Sequence, residues 1–137
     1  MTSNRDAYHE LCGYTLTHGH PSFIHQHVVD AFAAQEADEH TKPIALTFAL
    51  AGLYLHVEKG LSGRQVQLAH MKMAQRKRQW PTFSLPRERG TITAADVVKV
   101  GPGIERDKAI DAWCGSVWDA FRGNRDAVVR LLDEYGL

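Results

Sequence analysis

The sequence predicts an all-α fold, a single-domain helical bundle of about five to six helices over residues 1–137. Apolar residues recur three and four positions apart along most of the chain, and no short run alternates as a half-buried strand does. Residues typical of helix starts stand where these periodic segments begin. The length of 137 residues suits one domain, and a hydrophobic content of 44% excludes a disordered chain.

The first two helices are predicted on either side of a short Gly-His-Pro stretch. Ser3 or Asn4 caps a helix over residues 4–17, which ends near Gly19. The second helix covers roughly residues 21–37, since proline is tolerated in the first turn of a helix.

The third helix, over residues 41–59, is predicted to be the central one. Its surface is apolar nearly all round, and Gly60 follows where a left-handed cap is needed. Ser62 and Gln65 form a capping-box pattern that starts a fourth helix, which extends to about residue 78.

Irregular structure is predicted between the fourth helix and the last ones. Two prolines and few helix formers indicate an ordered loop over residues 79–90, and we expect three apolar side chains to hold it on the bundle: Trp80, Phe83 and Leu85. A capped short helix follows over residues 93–100. The clearest amphipathic helix then spans residues 110–121, and a break at residues 123–124 precedes a last helix through Tyr135.

Basic charge is concentrated in the middle of a chain that is neutral overall. Residues 61–90 carry seven basic residues and one acidic residue. Arg76, Lys77 and Arg78 form a candidate basic surface, since lysine and arginine neutralise phosphates. Nucleic-acid-binding domains are usually basic as a whole, but here 16 basic residues are balanced by 16 acidic ones. We therefore expect a solvated helix end and no nucleic-acid partner.

The composition is the one expected of a cytoplasmic protein that does not enter a membrane. The longest apolar stretch, residues 44–57, is interrupted by polar residues and is too short to cross a bilayer. The first residues lack the apolar segment of a signal peptide. Cys12 and Cys114 are the only cysteines, which favours small buried thiols in a reducing compartment.

Several stretches resemble a family of small bacterial helical proteins to which no function is assigned. The shared pattern combines an H-x4-D-A-[FY] helix, which begins at His25, with a Leu-rich middle helix and a W-x3-V-W helix at residues 113–118. The resemblance covers most of the chain and implies one helical domain, without catalytic residues to carry over. The family is associated with an N-terminal Cys-x-x-Cys-Gly stretch, of which this chain has only Cys12.

Histidine is concentrated in the first half of the chain, since seven of the eight histidines lie before residue 57. Imidazole is a common ligand of transition metals, and bundles build such sites from facing helices. His27 and Asp30 share one helix face, and His56 and His70 lie on the next two helices, so the four form a candidate site for a divalent transition metal. Alternatively, His27 and His56 are buried histidines bonded to a carboxylate or a carbonyl, since no fixed-spacing metal motif is present.

His25 and Asp30 of the family pattern allow acid–base chemistry as a further interpretation. A carboxylate that orients an imidazole raises its basicity. Five residues apart on a helix, however, the two side chains point in different directions, as do His25 and His27. We therefore favour a structural role in which Asp30 fixes a contact between helices through a hydrogen bond.

Two classes of function remain open, and the sequence specifies no reaction. The leading hypothesis is binding of a small ligand or a divalent metal in a histidine-bearing pocket between the second, third and fourth helices. The alternative is a non-enzymatic protein–protein interaction or homodimerisation module, with Trp118 and Tyr135 on its face. In either case we expect His27 and His56 to be buried, and at least one of them to be bonded to an acidic side chain or a carbonyl.

Overall fold

A computed structural model describes residues 3–18 and 22–137, which contain seven α-helices, one 3-10 helix and no strand. The α-helices are α1 (Asn4–His18), α2 (His25–Gln35), α3 (Pro43–Val57), α4 (Gly63–Ala74), α5 (Ala94–Lys99), α6 (Ile104–Phe121) and α7 (Arg125–Glu134). The 3-10 helix Arg122–Asn124 joins α6 to α7 at the predicted break. The all-α helical bundle expected from the sequence is confirmed.

Local capping signals set several helix starts as predicted. Ser62 and Gln65 make both hydrogen bonds of a capping box at the start of α4, and Thr93 and Asp96 do the same at α5. Ser3 accepts a backbone N–H from the first turn of α1. Each of these side chains satisfies a backbone group that a helix end leaves without an internal partner.

The second helix begins later than the sequence predicted. α2 starts at His25, because Phe23 adopts a left-handed φ of 55° that an α-helix does not allow. The predicted boundaries at Gly19 and residue 21 lie outside the described residues.

The fourth helix ends at Ala74, earlier than the predicted end near Arg78. Beyond that point the chain turns toward α7, where the Arg76 guanidinium lies 4.7 Å from the centroid of the Tyr135 ring and Arg78 forms an ion pair with Glu134. These contacts with the C-terminal end of the bundle replace a further turn of α4.

α3 is the central helix, as its apolar surface predicted. It contacts α2, α4, α6 and α7. Trp113 and Trp118 on the facing side of α6 have no exposed surface, and their burial supplies a large share of the apolar area removed from water. Phe83 of the irregular segment is buried and Trp80 is half-buried, but Leu85 is exposed and does not hold the loop.

Two further expectations concern the cysteines and the membrane. Cys12 and Cys114 are both free, and Cys114 is fully buried whereas Cys12 is half-buried. Within the described part of the chain, no helix combines the length and the apolar character needed to span a bilayer.

Candidate functional site

α2 and α3 pack antiparallel and hold four residues in two clusters one helical turn apart. The imidazole rings of His27 and His56 stack with their centroids 3.5 Å apart and their planes inclined by 18°. One turn further along, Asp30 of α2 lies against Gly52 of α3. His27 and Asp30 therefore share one face of α2, as their spacing predicted.

A cavity of about 310 Å³ opens beside the histidine pair. It lies between the start of α2, the turn from α3 to α4 and the first half of α6. The polar side chains in its wall include those of His27, His56, Ser62, Gln65, Asp107 and Asp111. Its volume is at the lower end of the range typical of small-molecule sites, which begins near 300 Å³.

His56 makes two hydrogen bonds that fix its protonation. Its Nδ1 lies 2.9 Å from the carbonyl oxygen of Leu61, which can only accept, so Nδ1 carries a proton. Its Nε2 lies 2.9 Å from Oδ1 of Asp111. Burial lowers the pKa of His56, but the hydrogen bonds to Asp111 and Leu61 outweigh burial and raise that pKa above its ordinary value. The hydrogen bond from His56 in turn lowers the pKa of Asp111, so the contact favours the charged form of each partner.

His27 is only 3% exposed, but its ring nitrogens form no hydrogen bond with any residue of the described ranges. Burial, reinforced by the neighbouring positive charge of His56, lowers the pKa of His27 to about 3. The ring is therefore neutral at physiological pH and carries one N–H donor and one acceptor nitrogen. His27 is thus a largely buried ring that has no hydrogen-bond partner in the described chain and whose nitrogens are open to the cavity.

Both rings behave as the sequence predicted, since His27 and the ring of His56 are largely covered and His56 bonds to a carboxylate and a carbonyl. The acidic partner of His56 was missed, because Asp111 lies on α6, far along the chain, as does Asp107, which lines the same cavity. The sequence contained one indication that these aspartates face a partner. Two aspartates four residues apart repel each other on a helix unless a partner faces them.

In the second cluster, the side-chain amide of Gln26 links Asp30 to His70. His70 donates from Nε2 to the Phe48 carbonyl oxygen at 2.8 Å, so its Nδ1 accepts from the Gln26 amide at 3.4 Å. The same amide donates to Oδ1 of Asp30 at 3.1 Å. Burial lowers the pKa of His70 despite the hydrogen bond to Phe48, so this ring is neutral.

Asp30 is fully enclosed and only partly satisfied. Its Oδ2 has no hydrogen-bond partner in the described chain and lies 3.9 Å from Nε2 of His70. Burial raises the pKa of Asp30 well above its ordinary value, against the opposing effect of the hydrogen bond from Gln26. A protonated carboxyl group is therefore favoured at this position.

His25 belongs to neither cluster. Its Nδ1 lies 3.0 Å from the Thr15 hydroxyl of α1, whereas Asp30 faces α3. The two residues of the H-x4-D pattern therefore point to different neighbours, and the structure does not bring them together for acid–base chemistry.

The predicted metal ligands likewise do not converge. Among the residues that the structure describes, no three His, Cys, Asp or Glu side chains are placed to hold an ion. His27 and His56 face each other as stacked rings, and both nitrogens of His56 already have partners. Asp30 and His70 lie in the other cluster.

The candidate basic surface is partly occupied by contacts within the molecule. Arg76 stacks on Tyr135, and Arg78 pairs with Glu134 and lies over Trp80. Lys77 is exposed. The three residues lie beyond the end of α4 at Ala74, so this segment is not the solvated helix end that the sequence predicted, and two of its side chains pack on the bundle.

The aromatic residues considered for a dimer face belong to the core. Trp118 is 0% exposed and Tyr135 is 4% exposed. The Trp118 indole also donates to Oε2 of Glu58 at 2.7 Å. An interface on these helices would have to use other side chains.

The fold and the site define a class of protein: an all-α bundle whose second and third helices present a stacked histidine pair to a small polar cavity. Residues 5–122 match the model of a family described as a family of unknown function (DUF5946), so the chain belongs to that family. This match confirms the resemblance to a helical family without an assigned function. No curated protein and no solved structure matches the chain.

Proposed function

We propose that this protein binds a small polar molecule in the cavity beside His27 and His56. One observation carries the proposal: His27 is almost completely buried and lines the cavity, but it makes no hydrogen bond with the described residues. Among the described residues, the fully enclosed polar side-chain atoms without a partner are Oδ2 of Asp30 and the Tyr135 hydroxyl, so the nitrogens of His27 are open to the cavity. A ligand in the cavity can therefore reach them.

The state of His27 favours a ligand with a hydrogen-bond donor. Because its pKa is lowered to about 3, the ring is neutral and one nitrogen has a free lone pair. Asp107 and Asp111 add acceptor oxygens on the opposite wall. The cavity thus offers several acceptors to a molecule that presents N–H or O–H groups.

A small molecule suits this arrangement better than a transition metal does. A metal site needs lone pairs that converge on one point, and stacked imidazoles direct theirs side by side. His56 would also have to give up its bonds to Leu61 and Asp111 before it could coordinate an ion. Binding of a transition metal is therefore the competing outcome in the experiment below.

The test is a thermal-denaturation screen with a library of small soluble fragments. It compares the wild type with His27→Gln and with the matched control His40→Gln, since His40 is exposed and distant from the cavity wall. A fragment at a hundred times its Kd should stabilise the protein by about 2.7 kcal/mol. We expect stabilisation of the wild type and of the control, but not of His27→Gln. Asp111→Asn, at an exposed position on the other wall, provides a second variant that does not threaten the core.

Two results would contradict the proposal. The first is that no fragment stabilises the wild type, or that fragments stabilise all variants equally. The second comes from a parallel titration with Zn²⁺ and a chelator. If the wild type binds Zn²⁺ stoichiometrically and both His27→Gln and His56→Gln lose that binding, the site binds a metal ion and not a small molecule.

A further inference from the structure

A second cavity continues the first one along α6. Its volume is about 400 Å³, and Ile24 and Asp107 line both cavities. The remaining wall comes from α1 and from the start of α6, including Tyr14, Thr15 and Ile104. The two cavities therefore adjoin and form one groove, and the His27–His56 pair lines only the first cavity.

The second cavity is mainly apolar, in contrast to the first. The Tyr14 hydroxyl is occupied, since it donates to Oδ1 of Asp107 at 2.6 Å. The Thr15 hydroxyl is likewise bonded to the Leu11 carbonyl oxygen at 3.0 Å. Ile104 at the rim is 70% exposed, which makes it the most exposed large apolar side chain of the described chain. An apolar group bound against this rim would remove that surface from water.

The polar end of the groove has an excess of negative charge. Asp107 and Asp111 contribute two carboxylates, His56 can carry at most one positive charge, and His27 is neutral. Arg106 is the nearest buried cation, but it faces the Tyr14 ring at 5.0 Å and is bonded to Glu10 and the Val100 carbonyl oxygen. A positively charged ligand would therefore complement the charge at this end of the groove.

We propose that the ligand is an amphipathic organic amine, with its ammonium group between His27, Asp107 and Asp111 and a short apolar chain against Ile24 and Ile104. This inference rests on the proposed function and adds the chemical class of the ligand. An ammonium group has three donors, which matches the imidazole nitrogen and the two carboxylates that face the cavity. Ile24 and Asp107, which line both cavities, lie where the polar end meets the apolar end.

The test uses the n-alkylamines from ethylamine to hexylamine, titrated into the wild type at neutral pH and followed by protein NMR shifts. Burial of each added methylene should tighten binding by up to about fourfold until the apolar cavity is filled. Hexanoate, which has the same chain length and the opposite charge, should bind at least about tenfold more weakly than hexylamine.

Two exposed apolar residues provide matched variants. Ile104→Ser removes apolar surface from the rim and should flatten the dependence of affinity on chain length. Leu68→Ser changes a side chain of α4 that is 56% exposed and lies away from the groove, and it should leave that dependence unchanged. Both positions are exposed, so neither change threatens folding.

The outcomes separate this inference from the proposed function. Amine affinity that does not rise with chain length, or hexanoate that binds as tightly as hexylamine, would overturn the amphipathic amine. If other fragments still bind at His27, the proposed function stands, but the ligand is not an amphipathic amine. If nothing binds at His27, both fail.

Discussion

The carboxyl group of Asp30 occupies the space that a β-carbon on Gly52 would need. Such a carbon would lie 1.9 Å from Oδ2 of Asp30 and 3.1 Å from Nε2 of His70. The missing side chain at Gly52 therefore lets α2 approach α3 closely at this turn. The same approach brings His27 into contact with His56 one turn away.

Replacing Gly52 tests this close contact. Alanine favours a helix over glycine by about 1 kcal/mol, but overpacking a filled site costs typically about 1–3 kcal/mol, occasionally more. We expect Gly52→Ala to lower the free energy of unfolding by about 1–3 kcal/mol in urea denaturation. Gly115→Ala on α6, where a β-carbon meets no atom within 4 Å, is the matched control and should stabilise the protein by up to about 1 kcal/mol. A Gly52→Ala protein as stable as the wild type would show that α2 and α3 do not require glycine at this contact.

The buried carboxyl of Asp30 predicts a particular dependence on pH. Its pKa is raised by burial, so above the unfolded pKa near 4 the folded state retains a proton that the unfolded state has released. Stability contributed by this group is therefore present below about pH 4 and is lost as the pH rises toward the folded pKa. Asp30→Asn mimics the protonated form, so its stability relative to the wild type should increase from pH 4 to pH 8 in urea titrations. A difference that does not vary with pH would be inconsistent with a protonated Asp30.

His27 predicts the opposite dependence. Its folded pKa of about 3 lies below the unfolded value near 6.5, so within that window the unfolded state binds a proton that the folded state does not. This contribution to stability is complete above about pH 6.5 and falls with decreasing pH by at most about 1.4 kcal/mol per unit. His27→Gln should lose less stability than the wild type between pH 6.5 and 4 in chemical denaturation. His40→Gln should follow the wild type, and a parallel loss in all three proteins would refute a buried neutral His27.

The ion pair between His56 and Asp111 can be tested by titrating one ring. Burial alone lowers the pKa of His56, and the hydrogen bond to Asp111 is the main opposing influence. We therefore expect Asp111→Asn to lower the pKa of His56, as followed by the NMR signals of its ring protons. The pKa of His70, whose ring bonds to Phe48, should not move. An unchanged pKa of His56 would show that Asp111 does not hold its charge.

Replacing Trp118 tests whether this residue belongs to the core or to a dimer interface. Its side chain has no exposed surface and its indole N–H is bonded to Glu58, so Trp118→Ala removes a large buried group. We expect a loss of about 3–5 kcal/mol in the free energy of unfolding. Sedimentation velocity over a range of protein concentrations should show the same oligomeric state for the folded variant and the wild type. Dissociation of an oligomer without loss of stability would instead favour the homodimer hypothesis.

Much of the fold was predictable because its signals are local. The capping boxes at Ser62 and Thr93 depend on residues three positions away, and Gly60 adopts the left-handed conformation expected after α3, with a φ of 72°. The burial of His27 followed from its apolar neighbours along α2. In each case the interacting groups lie within about one helical turn of each other.

The candidate site was less predictable because its partners are distant in sequence. Asp111 lies 55 residues beyond His56, and no local pattern joins them. His70 was grouped with His27 and His56 as a metal ligand, but its ring turns to the Phe48 carbonyl oxygen. Which histidines meet depends on the antiparallel packing of α2 and α3, and that packing depends on the space left by Gly52.

Binding of a ligand at His27 is best tested by the nitrogen spectrum of its imidazole ring. A long-range ¹H–¹⁵N correlation spectrum resolves the donor and acceptor nitrogens of each neutral imidazole. It should be recorded before and after saturation with the fragment that stabilises the wild type most. If the fragment binds there, we expect the acceptor nitrogen of His27 to shift toward the value of a protonated nitrogen while the signals of His70 stay in place. A saturated protein in which the His27 nitrogens do not shift would contradict binding at His27.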